Sequence, residues 1–241
     1  MAEVLSQSQI DALLNAVRSG EKDLDKSTES TQEKKWRKYD FSSPQKFTKD
    51  RIKMLNGIFD NYSRVIRSRI NARLRTNCEI TVESIEEQRY YEFSNALTEG
   101  DVLGLVEVTY KEQIQEIPLL FYLSTVTALS MMDRMMGGEG SEGIEIDSDY
   151  SYTEVELQLY EDLARDMVSV MDSSWENYIP LQFTYEKTDV NPTLSQIIGV
   201  DETVIIVDMK IQFPDLEGRM SLCLPGEMLT NIFSEISKST S

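Results

Sequence analysis

Residues 202–224, ETVIIVDMKIQFPDLEGRMSLCL, decide the fold. They resolve into two runs rich in Val, Ile, Met and Leu, near 202–212 and 217–224, which predicts two strands in succession. About 100 residues upstream the same pattern stands as VLGLVEVTYKEQIQEIPLLFYL, with strands near 102–110 and 117–123 around the turn-like KEQIQE. Working outward, each pair is preceded by a third strand-like run, near 79–86 in the first case and 181–189 in the second. Before these runs come helices. One is capped by Thr48 and repeats Ile52, Leu55, Phe59, Tyr62, Ile66 and Ile70; the other spans Thr153 to Asn177 with Val155, Leu159, Leu163, Met167, Val170 and Trp175. A helix also follows each set: Thr125 to Met136, stopped by Gly137 and Gly138, and about 226–236. Tyr90 to Leu97 reads as a short helix between strands. The order helix, three strands, helix therefore occurs twice, and predicts a layered α/β domain of helix/sheet/helix type with two pseudo-symmetric halves.

The 241 residues suffice for a substantial core, and composition removes several chemistries. The 24 basic against 42 acidic residues give a net charge of −18, which argues against nucleic acid as partner. With no histidine there is no Ser-His-Asp triad, Cys-His pair or His-ligated zinc. Two cysteines, Cys78 and Cys223, make neither a disulfide framework nor a thiolate metal site, so no metal and no cofactor is expected. The charge is unevenly placed: residues 41–75 carry 9 basic and 2 acidic groups, and residues 76–241 carry 8 and 32. The favoured reading is that the acidic domain neutralises its own basic helix, the alternative being a binding surface for an external polyanion; attraction between neighbouring copies is a further use of the same polarity. No window approaches the ~20 apolar residues of a membrane span.

At the N-terminus, LSQSQIDALLNAV (5–17) is a self-contained helix signal. Ser6 and Gln9 form a capping box, Leu5 and Ile10 a hydrophobic staple, and Ile10, Leu13, Leu14 and Val17 one apolar stripe. Residues 19–41 contain little to bury and read as a flexible linker to a body over 42–236, with a polar tail at 237–241. A tethered amphipathic helix is a helix-in-groove ligand. Three aliphatic anchors supply roughly 5–9 kcal/mol, much of it offset by ordering the segment, so weak and reversible capture is expected.

The chain closely resembles the flagellar motor switch protein FliM family. The resemblance is carried by LSQSQIDALLNA; by Tyr39, Asp40, Phe41, Pro44, Lys46 and Phe47; by Leu74, Arg75 and Thr76; by Asp133, Arg134 and the GGEG run 137–140; by Thr153 and Glu154; by Asn191, Pro192, Gln196 and Ile197; and by Glu217, Gly218 and the LCLP run 222–225. It implies a middle domain of CheC/CheX-like fold and a subunit of the flagellar rotor. It also implies that phosphorylated CheY binds through Leu5, Ser6, Gln7, Ile10, Asp11, Leu13, Leu14 and Asn15, and FliG through Asp133, Arg134, Gly137, Gly138, Glu139 and Gly140. Neighbouring copies in a ring, and a place at the cytoplasmic face of the bacterial inner membrane, follow from the same resemblance. Relatives usually continue into a FliN-like C-terminal domain, so FliN is a partner only through a domain beyond the tail SEISKSTS. Read from the residues alone, the glycine run is a helix C-cap followed by a loop, and Met131, Met132, Met135 and Met136 are core before they are a contact patch. The alternative function, a CheC/CheX-like phosphatase acting on phosphorylated CheY, needs a Glu-x-x-Asn pair on the first helix of a half. Asp50, Met54 and Gly57 stand in one helix, Glu161 and Ala164 in the other, and the E-x-x-N at Glu92 and Asn95 lies elsewhere. A non-enzymatic adaptor is therefore expected.

Overall fold

The computed structural model describes residues 46–140, 146 and 150–239. The expected N-terminal helix, the linker, the acidic residues 141–145 and 147–149, and the last two residues lie outside the described residues. The elements run α1 (Lys49–Leu74), β1 (Glu79–Arg89), α2 (Tyr90–Ser94), β2 (Leu103–Tyr110), β3 (Gln113–Ile114), β4 (Leu119–Leu123), α3 (Thr125–Met135), α4 (Glu154–Val168), α5 (Asp172–Trp175), β5 (Gln182–Asp189), β6 (Thr203–Gln212), β7 (Glu217–Pro225) and α6 (Gly226–Ser239).

Helix α1 starts where the Thr48 hydroxyl accepts the Arg51 N–H at 3.4 Å, and it buries Leu55, Phe59, Tyr62, Ile66 and Ile70 on the predicted stripe. Thr153 caps α4 in the same way and closes a capping box with Glu156. The expected single helix from Thr153 to Asn177 is broken, because α4 stops at Val168 and a turn precedes α5. Serine hydroxyls bond back to backbone carbonyls there, Ser169 to Asp166 at 2.8 Å and Ser173 to Val170 at 2.9 Å. The Asp172 carboxylate turns away to accept the Phe183 N–H at 2.9 Å, which ties the break to β5. Val155, expected on the apolar stripe, is 69% exposed. Helix α6 runs to Ser239, three residues into the expected tail.

The seven strands form one antiparallel sheet in the order β1-β6-β7-β4-β2-β5, with β3 pairing the far end of β2. Exchanging the halves reverses this order onto itself, so a pseudo-two-fold axis passes between β4 and β7, where Phe121 faces Leu222. The first strand of each half pairs with the second strand of the other. Residue pairs Val82–Met209 and Tyr185–Val106 are counterparts, each residue 103 positions from its equivalent. Both outer strands carry a bulge at the same place, with one unpaired glutamate, Glu83 in β1 and Glu186 in β5.

The layers on the two faces are unequal. Val106, Phe121, Val207, Met209 and Leu222 point to the face covered by α1, α3, α4 and α6, and this side holds most of the core. Leu103, Leu105, Leu120, Ile206 and Cys223 point to the other face, covered by Tyr90 and Phe93 of α2 and by Ile198. Three arginines link α1 to acidic neighbours: Arg67 to Glu79 at 2.6 Å, Arg69 to Asp166 at 2.6 Å, and Arg73 to Asp162 and Asp166. Three of the seven basic side chains of α1 are thus paired within their own domain.

Candidate functional site

The GGEG run follows α3, and its shape is set by backbone chemistry. The Gly137 N–H donates to the Arg134 carbonyl at 3.1 Å, and the Gly138 N–H to the Asp133 carbonyl at 2.9 Å. These are the paired bonds of a Schellman cap. Gly137 (φ 96°) supplies the left-handed residue the cap requires. The chain then folds back on the helix end, where the Gly140 N–H donates to Asp133 Oδ2 at 2.8 Å. A Cβ on Gly138 would fall on the Asp133 carboxylate, and one on Gly140 would fall on the Arg134 side chain. Both glycines therefore permit close approach.

Arg134 anchors the helix end to the opposite half. Its guanidinium donates to both Asp215 carboxylate oxygens, at 2.6 and 2.8 Å, and lies 4.9 Å over the Phe213 ring. Phe213 and Asp215 belong to the β6–β7 turn, closed by the Phe213 N–H donating to the Leu216 carbonyl at 2.8 Å. Further up α3, Thr127 Oγ1 accepts the Arg219 N–H at 3.2 Å. The helix comes this close because Gly218 has no side chain; a Cβ there would strike Thr127.

The expected site residues thus divide by role. Asp133 and Arg134 are turned inward and shape the loop, and Gly140 is buried. Gly137, Gly138 and Glu139 are exposed, together with Met136 at 69%. Of the four methionines, Met131 and Met132 are core, as the plainer reading had it, and only Met136 stands out into solvent. The eight residues expected to hold CheY, Leu5 to Asn15, lie outside the described residues. Sequence reasoning missed Phe213, Asp215 and Thr127 as supports. A glycine inside strand β7 was the one local sign of a close approach.

Other chemistry finds little footing. Glu92 accepts the Arg89 N–H at 3.2 Å as the cap of α2, and Glu161 accepts the Thr188 hydroxyl at 2.9 Å. Burial pushes the Cys78 thiol up to about 11, and that of Cys223 further. Among the described residues no group of three or more His, Cys, Asp or Glu could hold a metal ion, and no helix is long and apolar enough to cross a membrane.

The sequence and the duplicated α/β fold match known proteins. The family of the flagellar motor switch protein FliM covers residues 48–240. The chain belongs to the FliM family. FliM of Bacillus subtilis is 31% identical over 235 residues, covering 98% of this chain and 69% of the relative. FliM of Treponema pallidum is 27% identical over 237 residues, with 98% and 67% covered. The chain thus spans about two thirds of the length of these FliM relatives. Among solved structures, FliM in the FliG–FliM complex from Helicobacter pylori superposes with a TM-score of 0.68 at 21% identity, over 76% of this chain and all of that one. FliY of Thermotoga maritima gives 0.65 at 16%, over 80% and 99%. These likenesses establish a FliM middle-domain fold for the described body.

Proposed function

We propose that this FliM-family chain is a non-enzymatic subunit of the flagellar rotor that binds FliG through the loop after α3 and phosphorylated CheY through residues 1–18, on a linker over 19–41. The observation that carries the FliG half is the braced loop. A Schellman cap, Asp133 and the Arg134–Asp215 pair hold Met136 to Glu139 outward in one conformation, so a partner meets a surface already ordered. That a FliM of the same fold has been crystallised with FliG supports this reading. The CheY half rests on the apolar stripe Ile10, Leu13 and Leu14 within a segment resembling the family's opening sequence. Capture of CheY shifts rotation only as far as CheY binds one rotor arrangement more tightly than the other. On this reading the protein sits at the cytoplasmic face of the inner membrane, held by partners, and meets FliN only through a further C-terminal domain.

The test is a quantitative pull-down with FliG and phosphorylated CheY. Deleting residues 1–18 is expected to abolish CheY capture and leave FliG capture intact. Gly138→Glu is expected to weaken FliG capture, but it also displaces Asp133, so the cleaner variants are Met136→Glu and Glu139→Arg on exposed positions. At least tenfold weaker FliG binding at an unchanged Tm is expected; normal capture by both variants would exclude the loop.

A further inference from the structure

The internal symmetry exposes one contact that is closed in one half and open in the other. On the closed side α3 lies against β7, with Thr127 seated where Gly218 has no side chain. The counterpart of Gly218, 103 residues earlier, is Gln115, and the counterpart of Thr127, 101 residues later, is Met228. Two bulkier residues stand where a threonine meets a glycine. Two extra residues between β3 and β4 also put β3 out of line with β4, since β2 pairs Thr109 with Ile114 but Val106 with Leu119, whereas β6 and β7 keep one register throughout. A groove results between the β2–β3 hairpin and α6. One section, of about 490 Å³, is lined by Tyr110, Lys111, Asn231, Glu235 and Lys238; the next, of about 230 Å³, by Ile114, Glu116, Glu227 and Met228. Gln113, Gln115 and Asn231 line both sections, so the groove is continuous.

We propose that this groove takes an extended segment of a partner protein, about five residues long, which adds a strand antiparallel to the free edge of β3 and carries a cation at its N-terminal end and a carboxylate at its C-terminal end. The free edge follows from register. Gln113 pairs with Tyr110, and the Gln115 N–H donates to the Val108 carbonyl at 2.9 Å, so alternation turns the peptide groups of Ile114 away from β2. Ile114 itself is 60% exposed. The length follows from the floor: Glu227 to Lys238 on α6 spans ~16 Å at ~1.5 Å per residue, which ~3.3 Å per strand residue fills with about five. The polarity follows from charge. Lys111 and Lys238 stand at one end of the groove, Glu116 and Glu227 at the other, and β3 runs from the first end to the second. Among the described residues Lys238 pairs with Glu235, at an exposed position where the partnership is readily exchanged. The lip is built at a conformational cost: Lys111 (φ 47°) and Glu112 (φ 65°) both take the left-handed region without glycine, and Lys111 lies 4.9 Å over the Tyr110 ring.

The experiment titrates the ¹⁵N-labelled full chain with the capped peptide Ac-Lys-Val-Thr-Val-Asp-NH₂ and with its charge-reversed form Ac-Asp-Val-Thr-Val-Lys-NH₂, reading amide shifts by NMR. Saturable shifts at Ile114, Glu116 and Asn231, at least tenfold slower exchange of the Ile114 amide, and at least tenfold weaker binding of the reversed peptide are expected. The double variant Lys111→Glu/Lys238→Glu, confined to exposed side chains, is expected to weaken the first peptide at least tenfold while retaining FliG capture. Equal affinity for both peptides, shifts confined to other surfaces, no saturable shift, or indifference to the double variant would overturn the proposal.

Discussion

Arg134 joins three features that sequence distance keeps apart: the helix that carries the glycine run, the Phe213 ring and the Asp215 carboxylate, the last 81 positions away. Its side chain is only 11% exposed, so truncation leaves a partly desolvated carboxylate and an uncovered ring. Arg134→Ala is expected to cost about 3 kcal/mol in urea unfolding, whereas Asp215→Asn, at a more exposed position, is expected to cost about 1 kcal/mol. Both are expected to lower FliG capture, because the loop loses its brace. A lone arginine near the end of a helix is ordinarily a cation beside the helix dipole. Nothing local marks this one as buried, and its partners come from the other half of the duplication. The helix stop was legible for the opposite reason: Gly137 ends α3 through its own backbone freedom, which needs no tertiary partner.

At the scale of elements, the strands and α1 were legible because their periodicity is the direct imprint of a buried face, as Leu55, Phe59, Tyr62 and Ile66 illustrate. The break after α4 was not. No Gly or Pro announces it, and the apolar period continues through Met171 and Trp175, both buried. What ends the helix is competition from Ser169, Ser173 and Asp172, decided by the position of β5. Between α1 and α4 the decisive group is Asp166. Partial burial alone would raise its carboxyl, but hydrogen bonds and charge from Arg69 and Arg73 outweigh this and hold it below the usual carboxylate range. A depressed carboxyl stabilises the fold fully above its unfolded pKa of ~3.9 and loses that contribution as pH falls further. Asp166→Asn is therefore expected to lower stability by about 1 kcal/mol at pH 7 and to shrink the gap to the parent below pH ~4, measured by urea unfolding across pH.

At the scale of the molecule, the exchange of first strands is the feature that element order could not reveal. Helix, three strands, helix twice over does not say which half each strand pairs in, and β1 pairs with β6 and β5 with β2. Pairing is nonlocal, and a strand's own pattern records which face is buried, not which neighbour it has. Neither half then completes a sheet alone. Residues 46–140 are expected to be unfolded by circular dichroism, as are residues 141–241, and an equimolar mixture is expected to recover strand signal. A folded spectrum from either fragment alone would contradict the exchange.

The matched bulges at Glu83 and Glu186 bear on life in a crowd. A machine that sets many copies of one chain side by side raises their local concentration far beyond that of free protein, the condition under which bare sheet edges fuse into fibres. Here the outermost strand at each end is kinked and carries an exposed carboxylate where a neighbouring strand would have to lie. In the rotor proposed above, where copies of one chain stand side by side, these bulged edges would keep each copy from pairing strand to strand with the next.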